Sequence, residues 1–321
     1  MTYDRYYYSI LSPTDKQVYK KIYDGIKNFE TVITVPKTTE PLLNIIQFIG
    51  RDNPHIFYVD FNQYNYSQNL LSTTVNLTYW YTKQEADEIN ERVHKVLQKM
   101  ISRVTGATDY EKEKSVHDLL IENVLYDMSA LQNLHKHSPR SNSILGVLFY
   151  KTAVCEGIAK VTKMLLNLLD IKCIVATGMA GGELHAWNIV KIDGKPYHLD
   201  ITWDINLSDE KSFRYDYFNL MDKDILLDHS PSIKYPACIS NQDNYFIKNR
   251  LIVKNVLDIE KLIVSSRMHK NKGAYFKYIG PDFEKTVKNA VGVASSVKAF
   301  SGINRISYSV NKEQQICMIK L

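Results

Sequence analysis

A thiol, an imidazole and a carboxylate are the side chains that together carry out nucleophilic acyl transfer. In this chain they occur as Cys155 in AVCEGIAK, His185 in HAWNIVKI and Asp200 in PYHLDITWD. The thiolate, not the thiol, is the nucleophile. Cys155 stands where a short apolar run turns into a helical pattern. In the first turn of a helix, unpaired backbone N–H groups and the positive end of the dipole lower a thiol's pKa, and an adjacent imidazolium lowers it further. A histidine oriented by a carboxylate then serves as the base. The competing reading is a small core residue, because free cysteine is among the most buried residue types.

Hairpin register weighs one reading against the other. Asp193-Gly194 between alternating segments predicts a two-residue turn. Ile192 then faces Lys195, His185 faces Thr202 and Trp187 faces Asp200. Because side chains alternate along a strand, His185, Trp187 and Ile189 share one face with His198, Asp200 and Thr202. Ala186, Val190, Ile192, Tyr197, Leu199, Ile201 and Trp203 share the apolar, core-facing side. His185 and Asp200 become diagonal neighbours roughly 7 to 8 Å apart at the backbone, which their side chains can bridge. Trp187 is expected to shield that pair or to line an acyl site, and Gly157 to leave room for an acyl substrate.

The elements that must position these residues follow from periodicity. SPTDKQVYKKIYDGIKN (12–28) predicts a helix with Val18, Ile22 and Ile26 four apart and proline near its first turn. Further helices are predicted at 41–50, 83–104, from 109 onward and from Cys155 to Asp170. Strands are predicted in HIFYVDF, LLSTTVNLTYWYT, IKCIVATG and the two arms of the hairpin. GMAGGEL and KHSPRSNS (136–143) are expected to be loops. Beyond Pro236, short strand-like pieces (NYFIKN, RLIVKN, GAYFKYIG, INRISYSV, QQICMIKL) flank one helical stretch, PDFEKTVKNAVGVAS.

Composition excludes several classes. The chain has 321 residues, 45% hydrophobic and 23% charged, as in globular proteins. Its 40 basic and 35 acidic residues leave a net charge of +5, spread along the chain, which argues against nucleic acid as a partner. Cys155, Cys173, Cys238 and Cys317 have no metal-ligand spacing, so no metal site, disulfide framework or cofactor is expected. No acidic loop of the EF-hand kind suggests calcium. The 22 tyrosines fit either an AT-rich genome and half-buried strands or a recognition surface. No apolar run is long enough to span a bilayer, and MTYDRYYYSI does not look like a signal peptide. As it stands the chain reads as cytoplasmic. A secreted or surface-anchored protein whose signal had been removed would read the same.

AVCEGIAK, LDIKCIVATG and HAWNIVKIDGKPYHLDITWD together resemble the three motif blocks of the transglutaminase-like superfamily, over roughly Tyr110 to Pro231. The resemblance implies an α+β fold with a papain-like core, in which a nucleophile helix packs on an antiparallel sheet. With the predicted elements on either side, this gives an expected layout of an N-terminal α/β region (1–105), a catalytic core (106–235) and a small C-terminal α+β appendage (236–321). It also implies that Cys155, His185 and Asp200 form a triad working through a thioester on a protein or peptide, as a transglutaminase, deamidase or peptidase. Ile158 departs from bacterial relatives, which commonly carry tyrosine there. The Cys155 backbone N–H is the first expected oxyanion donor; the second is left open. The alternative reading is an inactive transglutaminase-like binding or scaffold module.

Overall fold

The computed structural model describes residues 4–132, 139–209, 212–268, 273–298 and 307–320. The chain begins with helices α1 (Tyr6–Ile10) and α2 (Pro13–Lys27), followed by β1 (Val32–Pro36), α3 (Leu42–Asp52), β2 (Val59–Gln68), β3 (Ser72–Tyr79) and α4 (Lys83–Ile101). The strands form an antiparallel sheet in the order β1-β3-β2. Local chemistry starts the helices where the sequence indicates. The Ser12 hydroxyl accepts the Asp15 N–H with Pro13 at the first helical position, and Thr82 forms a reciprocal capping box with Glu85.

The central segment contains α5 (Asp109–Asn123), β4 (Leu125–Tyr126), α6 (Met128–Gln132), a π-helical turn at Gly146–Tyr150, β5 (Thr152–Ala153) and α7 (Cys155–Leu168). It continues through β6 (Cys173–Ala180), β7 (Glu183–Ile192), β8 (Lys195–Leu199), α8 (Ile201–Leu207), α9 (Asp222–Ile225) and β9 (His229–Pro231). The four longer-range strands form an antiparallel sheet, β8-β7-β6-β9. α7 lies on this sheet, buried at every position from Gly157 to Leu166. Helices α4 and α5 pack against α7 as well, which is why its apolar residues are not confined to one stripe. One hydrophobic core runs from Tyr7 through α7 and the sheet to Cys238.

The C-terminal part holds α10 (Tyr245–Lys248), β10 (Ile252–Val253), α11 (Val256–Met268), β11 (Gly273–Tyr278), α12 (Phe283–Lys298), β12 (Ser307–Asn311) and β13 (Ile316–Lys320). Its sheet order is β10-β11-β13-β12, and it has a hydrophobic cluster of its own, including Ile259, Phe276, Val287 and Ile319. The architecture is α+β throughout. Among the described residues no helix is long and apolar enough to cross a membrane.

Several local expectations are corrected. The Asp193-Gly194 turn and the Ile192–Lys195 pairing are as expected, but the ladder ends at Asn188 opposite Leu199. ITWD is therefore helical, and neither the Trp187–Asp200 nor the His185–Thr202 pair forms. The physical reason is Asp200, whose side chain accepts the Trp203 N–H and caps α8, overriding the strand preference of Ile201 and Thr202. GMAGGEL is not a loop: Gly181 and Gly182, both at positive φ, make a two-residue turn between β6 and β7. NYFIKN is the short helix α10, and α11 had no counterpart among the expected elements. Residues 133–138, within or beside the expected loop at 136–143, lie outside the described residues.

β9 can reach β6 only because residue 178 is glycine. A Cβ at Gly178 would stand 2.1 Å from the Ser230 carbonyl oxygen and 2.9 Å from Pro231 Cα. Gly178→Ala is expected to destabilise the chain by about 1–3 kcal/mol, the usual cost of overpacking, and to loosen β9. Urea denaturation checks the first effect, and hydrogen exchange at the β9 amides the second.

Candidate functional site

Cys155 is the first residue of α7, and Val154, which precedes the helix, supplies no side-chain cap. The backbone N–H groups of the first turn therefore face outward beside the sulfur. The side chain is half-buried, with one flank against Ala159, Val175 and Ala186. Glu156 pairs with Lys160 at 2.9 Å one turn along, and Ile158 is a buried core residue.

His185, on β7, meets Asp200 at the mouth of the sheet: His185 Nε2 is 2.7 Å from Asp200 Oδ2. That leaves Nδ1 for Cys155, whose thiol is within hydrogen-bonding reach of the ring. The His185 ring is thus set between the Asp200 carboxylate and the Cys155 thiol. Asn188, also on β7, fixes the relative positions of helix and strand. Its amide donates to Ala159 O on α7 at 3.0 Å and to Ile174 O on β6 at 3.2 Å.

The electrostatics follow from burial and partners. For His185, burial opposes the charge, but the Asp200 carboxylate and then the Cys155 sulfur outweigh it, raising the imidazole to about 10. Asp200 is fully buried, which works against its charge. His185 and His229 more than compensate and hold it well below the usual carboxylate range. The other three cysteines are buried, and burial pushes Cys173 and Cys238 far up and Cys317 to about 12.

Trp187 shields the pair and does not line an open acyl site. It is 1% exposed and lies nearly parallel to the His185 ring, with centroids 6.2 Å apart. Its indole N–H donates to His198 Nδ1 at 3.0 Å, so His198 Nε2 carries the proton that goes to Asp222 Oδ1, 2.9 Å away. Gly157 leaves no space for substrate either. A Cβ there would be 2.7 Å from Ser141 O and 2.9 Å from Ser143 O, so the glycine admits loop backbone. Trp203 is not in the main core but against the site, 4.6 Å from the His229 ring and 6.0 Å from His185.

No motif in the sequence marks Tyr126, His229 or Asp228. The parallel pairing of β4 with β5 sets Tyr126 beside Ala153, two residues before Cys155, and places its hydroxyl close enough to the Cys155 sulfur to be influenced by it. Burial, reinforced by Cys155, keeps this phenol protonated. His229 Nε2 is 3.1 Å from Asp200 Oδ2. No spacing rule connects LYD or DHSP to a cysteine far along the chain; strand order does. Two trios, His185/Asp200/His229 and His198/Asp222/Cys238, bring potential metal-ligand atoms within 4.8 Å of one another. In both, the histidine nitrogens are already committed to carboxylate or indole hydrogen bonds, which suits proton chemistry better than ligation.

A half-buried thiol at a helix tip, beside a carboxylate-held imidazole on an antiparallel sheet, is a site of the cysteine-enzyme type. Residues 94–201 match the family model described as the transglutaminase-like superfamily. Human kyphoscoliosis peptidase is 25% identical over 145 residues, covering 40% of this chain and 22% of that protein. The mouse protein is 24% identical over 164 residues, covering 46% and 23%. The chain thus spans about a fifth of these curated relatives' length. Among solved structures, a TGase aligns at TM-score 0.34 and 14% identity over 70% of this chain and 58% of that one. A putative cysteine protease from Cytophaga hutchinsonii aligns at TM-score 0.28 and 16% identity over 44% and 61%.

Two outcomes follow. Iodoacetamide near neutral pH is expected to label Cys155 well ahead of Cys173, Cys238 and Cys317, with His185→Ala slowing that labelling; peptide mapping reads it, and equal labelling of all four sites would contradict the assignment. His185 is raised from about 6.5 when unfolded to about 10 when folded. Its charged form therefore stabilises the fold fully below about 6.5, and that contribution is lost as pH rises toward 10. The stability difference between wild type and His185→Ala, from urea unfolding at pH 6, 8 and 10, should shrink steadily; a constant difference rejects the charged pair.

Proposed function

We propose that this protein performs cysteine-dependent acyl transfer or amide hydrolysis on a protein or peptide substrate, through Cys155, His185 and Asp200. The observation that carries the reading is His185, held by Asp200 through Nε2 so that Nδ1 is left for the thiol at the tip of α7. Cys155 Sγ attacks the carbonyl carbon of a carboxamide or peptide bond, the C–N bond breaks, and His185 gives its proton to the leaving nitrogen. The product is a thioester on Cys155. Water or an amine then attacks the thioester carbonyl, His185 takes the incoming proton, and the C–S bond breaks to restore the thiolate. The Cys155 backbone N–H and the Tyr126 hydroxyl are the donors this reading assigns to the oxyanion.

The intact set of nucleophile, base and orienting carboxylate supports turnover over an inactive binding module. Cross-linking, deamidation and proteolysis share the first half of the reaction and differ in what reaches the thioester. Incubation with a glutamine-containing protein and a labelled amine, with amine incorporation, ammonia release and backbone cleavage read in parallel, tests the proposal. At least one product should form, vanish in Cys155→Ala and fall by about 10²–10⁴-fold in His185→Ala. A product that persists in Cys155→Ala refutes it.

A further inference from the structure

His229 lies on β9, outside the segments that carry Cys155, His185 and Asp200. Its ring is buried and faces a carboxylate oxygen at each nitrogen: Nε2 is 3.1 Å from Asp200 Oδ2, and Nδ1 is 2.5 Å from Asp228 Oδ1. A neutral imidazole offers one N–H and one lone pair. In that form one contact would set a lone pair against a carboxylate oxygen inside a pocket closed by Trp187, Trp203 and Tyr217, whose rings lie 5.1, 4.6 and 5.7 Å from that of His229. Only the imidazolium donates to both.

Asp228 is itself pinned. Its Oδ2 accepts from the Tyr217 hydroxyl at 2.7 Å and from Gln314 Nε2 at 3.1 Å, and Asn311 Nδ2 donates to the Tyr217 hydroxyl at 3.1 Å. Gln314 lies in the turn between β12 and β13, and Asn311 ends β12. A continuous hydrogen-bonded path thus runs from the C-terminal sheet through Asp228 and His229 to Asp200 and His185. The ionisable groups around His229 are Asp200, Asp228, the Tyr217 phenol, the His185 ring at 5.5 Å and, across Trp187, the His198 ring. The bonds to Asp200 and Asp228 outweigh burial and raise the pKa of His229.

We propose that His229 is a positioning residue, a buried imidazolium that shares the Asp200 carboxylate with His185 and is held in place by the C-terminal unit through Asp228. For its catalytic meaning this rests on the acyl-transfer reading. A carboxylate that faced His185 alone would hold the proton on that ring more tightly. Sharing Asp200 with a second cation weakens the hold, so His185 can pass its proton to a leaving amine. It also fixes the orientation of the Asp200 oxygens.

Histidine-ring ¹⁵N NMR of the full chain tests this without any substrate. At pH 7 the His229 signals, assigned by their loss in His229→Gln, should show both ring nitrogens protonated; one unprotonated nitrogen overturns the inference. In His229→Gln, whose amide can still donate to Asp200, deprotonation of His185 should move up by about one pH unit, because a like charge has gone. Asp228→Asn, which removes the partner that keeps His229 charged, should move it in the same direction by less. An unshifted His185 titration in both variants, each shown to be folded by circular dichroism, overturns the inference. A neutral His229 beside a normally reactive Cys155 would sink this inference alone, whereas failure of the acyl-transfer assays with His229 charged would sink the reaction.

Discussion

The structure of the site turns on one buried negative charge. Asp200 is 1% exposed and sits at the junction of β8 and α8. A buried carboxylate is tolerated only when its oxygens are satisfied and its charge is countered. Three groups do this: the Trp203 N–H on Oδ1, with His185 and His229 on Oδ2. Each is also a structural commitment. The first ends the strand and starts a helix, the second orients the imidazole toward Cys155, and the third ties β9 and the C-terminal unit to the same atom.

Cys155 is placed by a different set of contacts. α7 cannot shift along the sheet without breaking the Asn188 bonds to Ala159 and Ile174, and its far end is tethered by the buried Lys163, which donates to Cys173 O at 3.1 Å. The N-terminal segment reinforces the sheet from outside. The Tyr7 hydroxyl donates to Val175 O at 2.6 Å, and its ring stacks on Phe48. Asp52 accepts the Tyr7 and Tyr8 N–H groups and the Tyr19 hydroxyl, and burial raises it to about 6. Part of the chain's tyrosine content serves this way: Tyr7, Tyr19, Tyr197 and Tyr217 are buried, with hydroxyls that find polar partners.

The C-terminal unit, although it has its own sheet and apolar cluster, meets the core through buried polar groups. The Tyr275 hydroxyl donates to Asp216 at 2.6 Å, and Arg214 forms a bidentate pair with Asp216 while reaching Ser309 at 2.6 Å. Such contacts fix orientation more strictly than apolar packing does, because a small displacement leaves buried charges unpaired. Orientation is what a unit contributing Asn311 and Gln314 to the neighbourhood of the site requires.

What the sequence determined by itself was local or periodic. The helix starts at Ser12 and Thr82, the glycine turn of the hairpin, the cysteine at a helix tip and the identities of His185 and Asp200 all rest on short-range rules, and capping and turn chemistry act over a few residues. Even there the register argument joined His185 to Asp200, which the structure hydrogen-bonds, by an inexact route, since Asp200 caps a helix where a continuing strand is expected. Only the tertiary structure decided that Trp187 shields and does not line, that Gly157 makes room for backbone, and that Trp203 belongs to the site. It alone brought in Tyr126, His229 and Asp228. These placements depend on strand order, on which loop fills a glycine's space and on which groups a buried carboxylate gathers, and such pairings between distant segments leave no spacing in the chain.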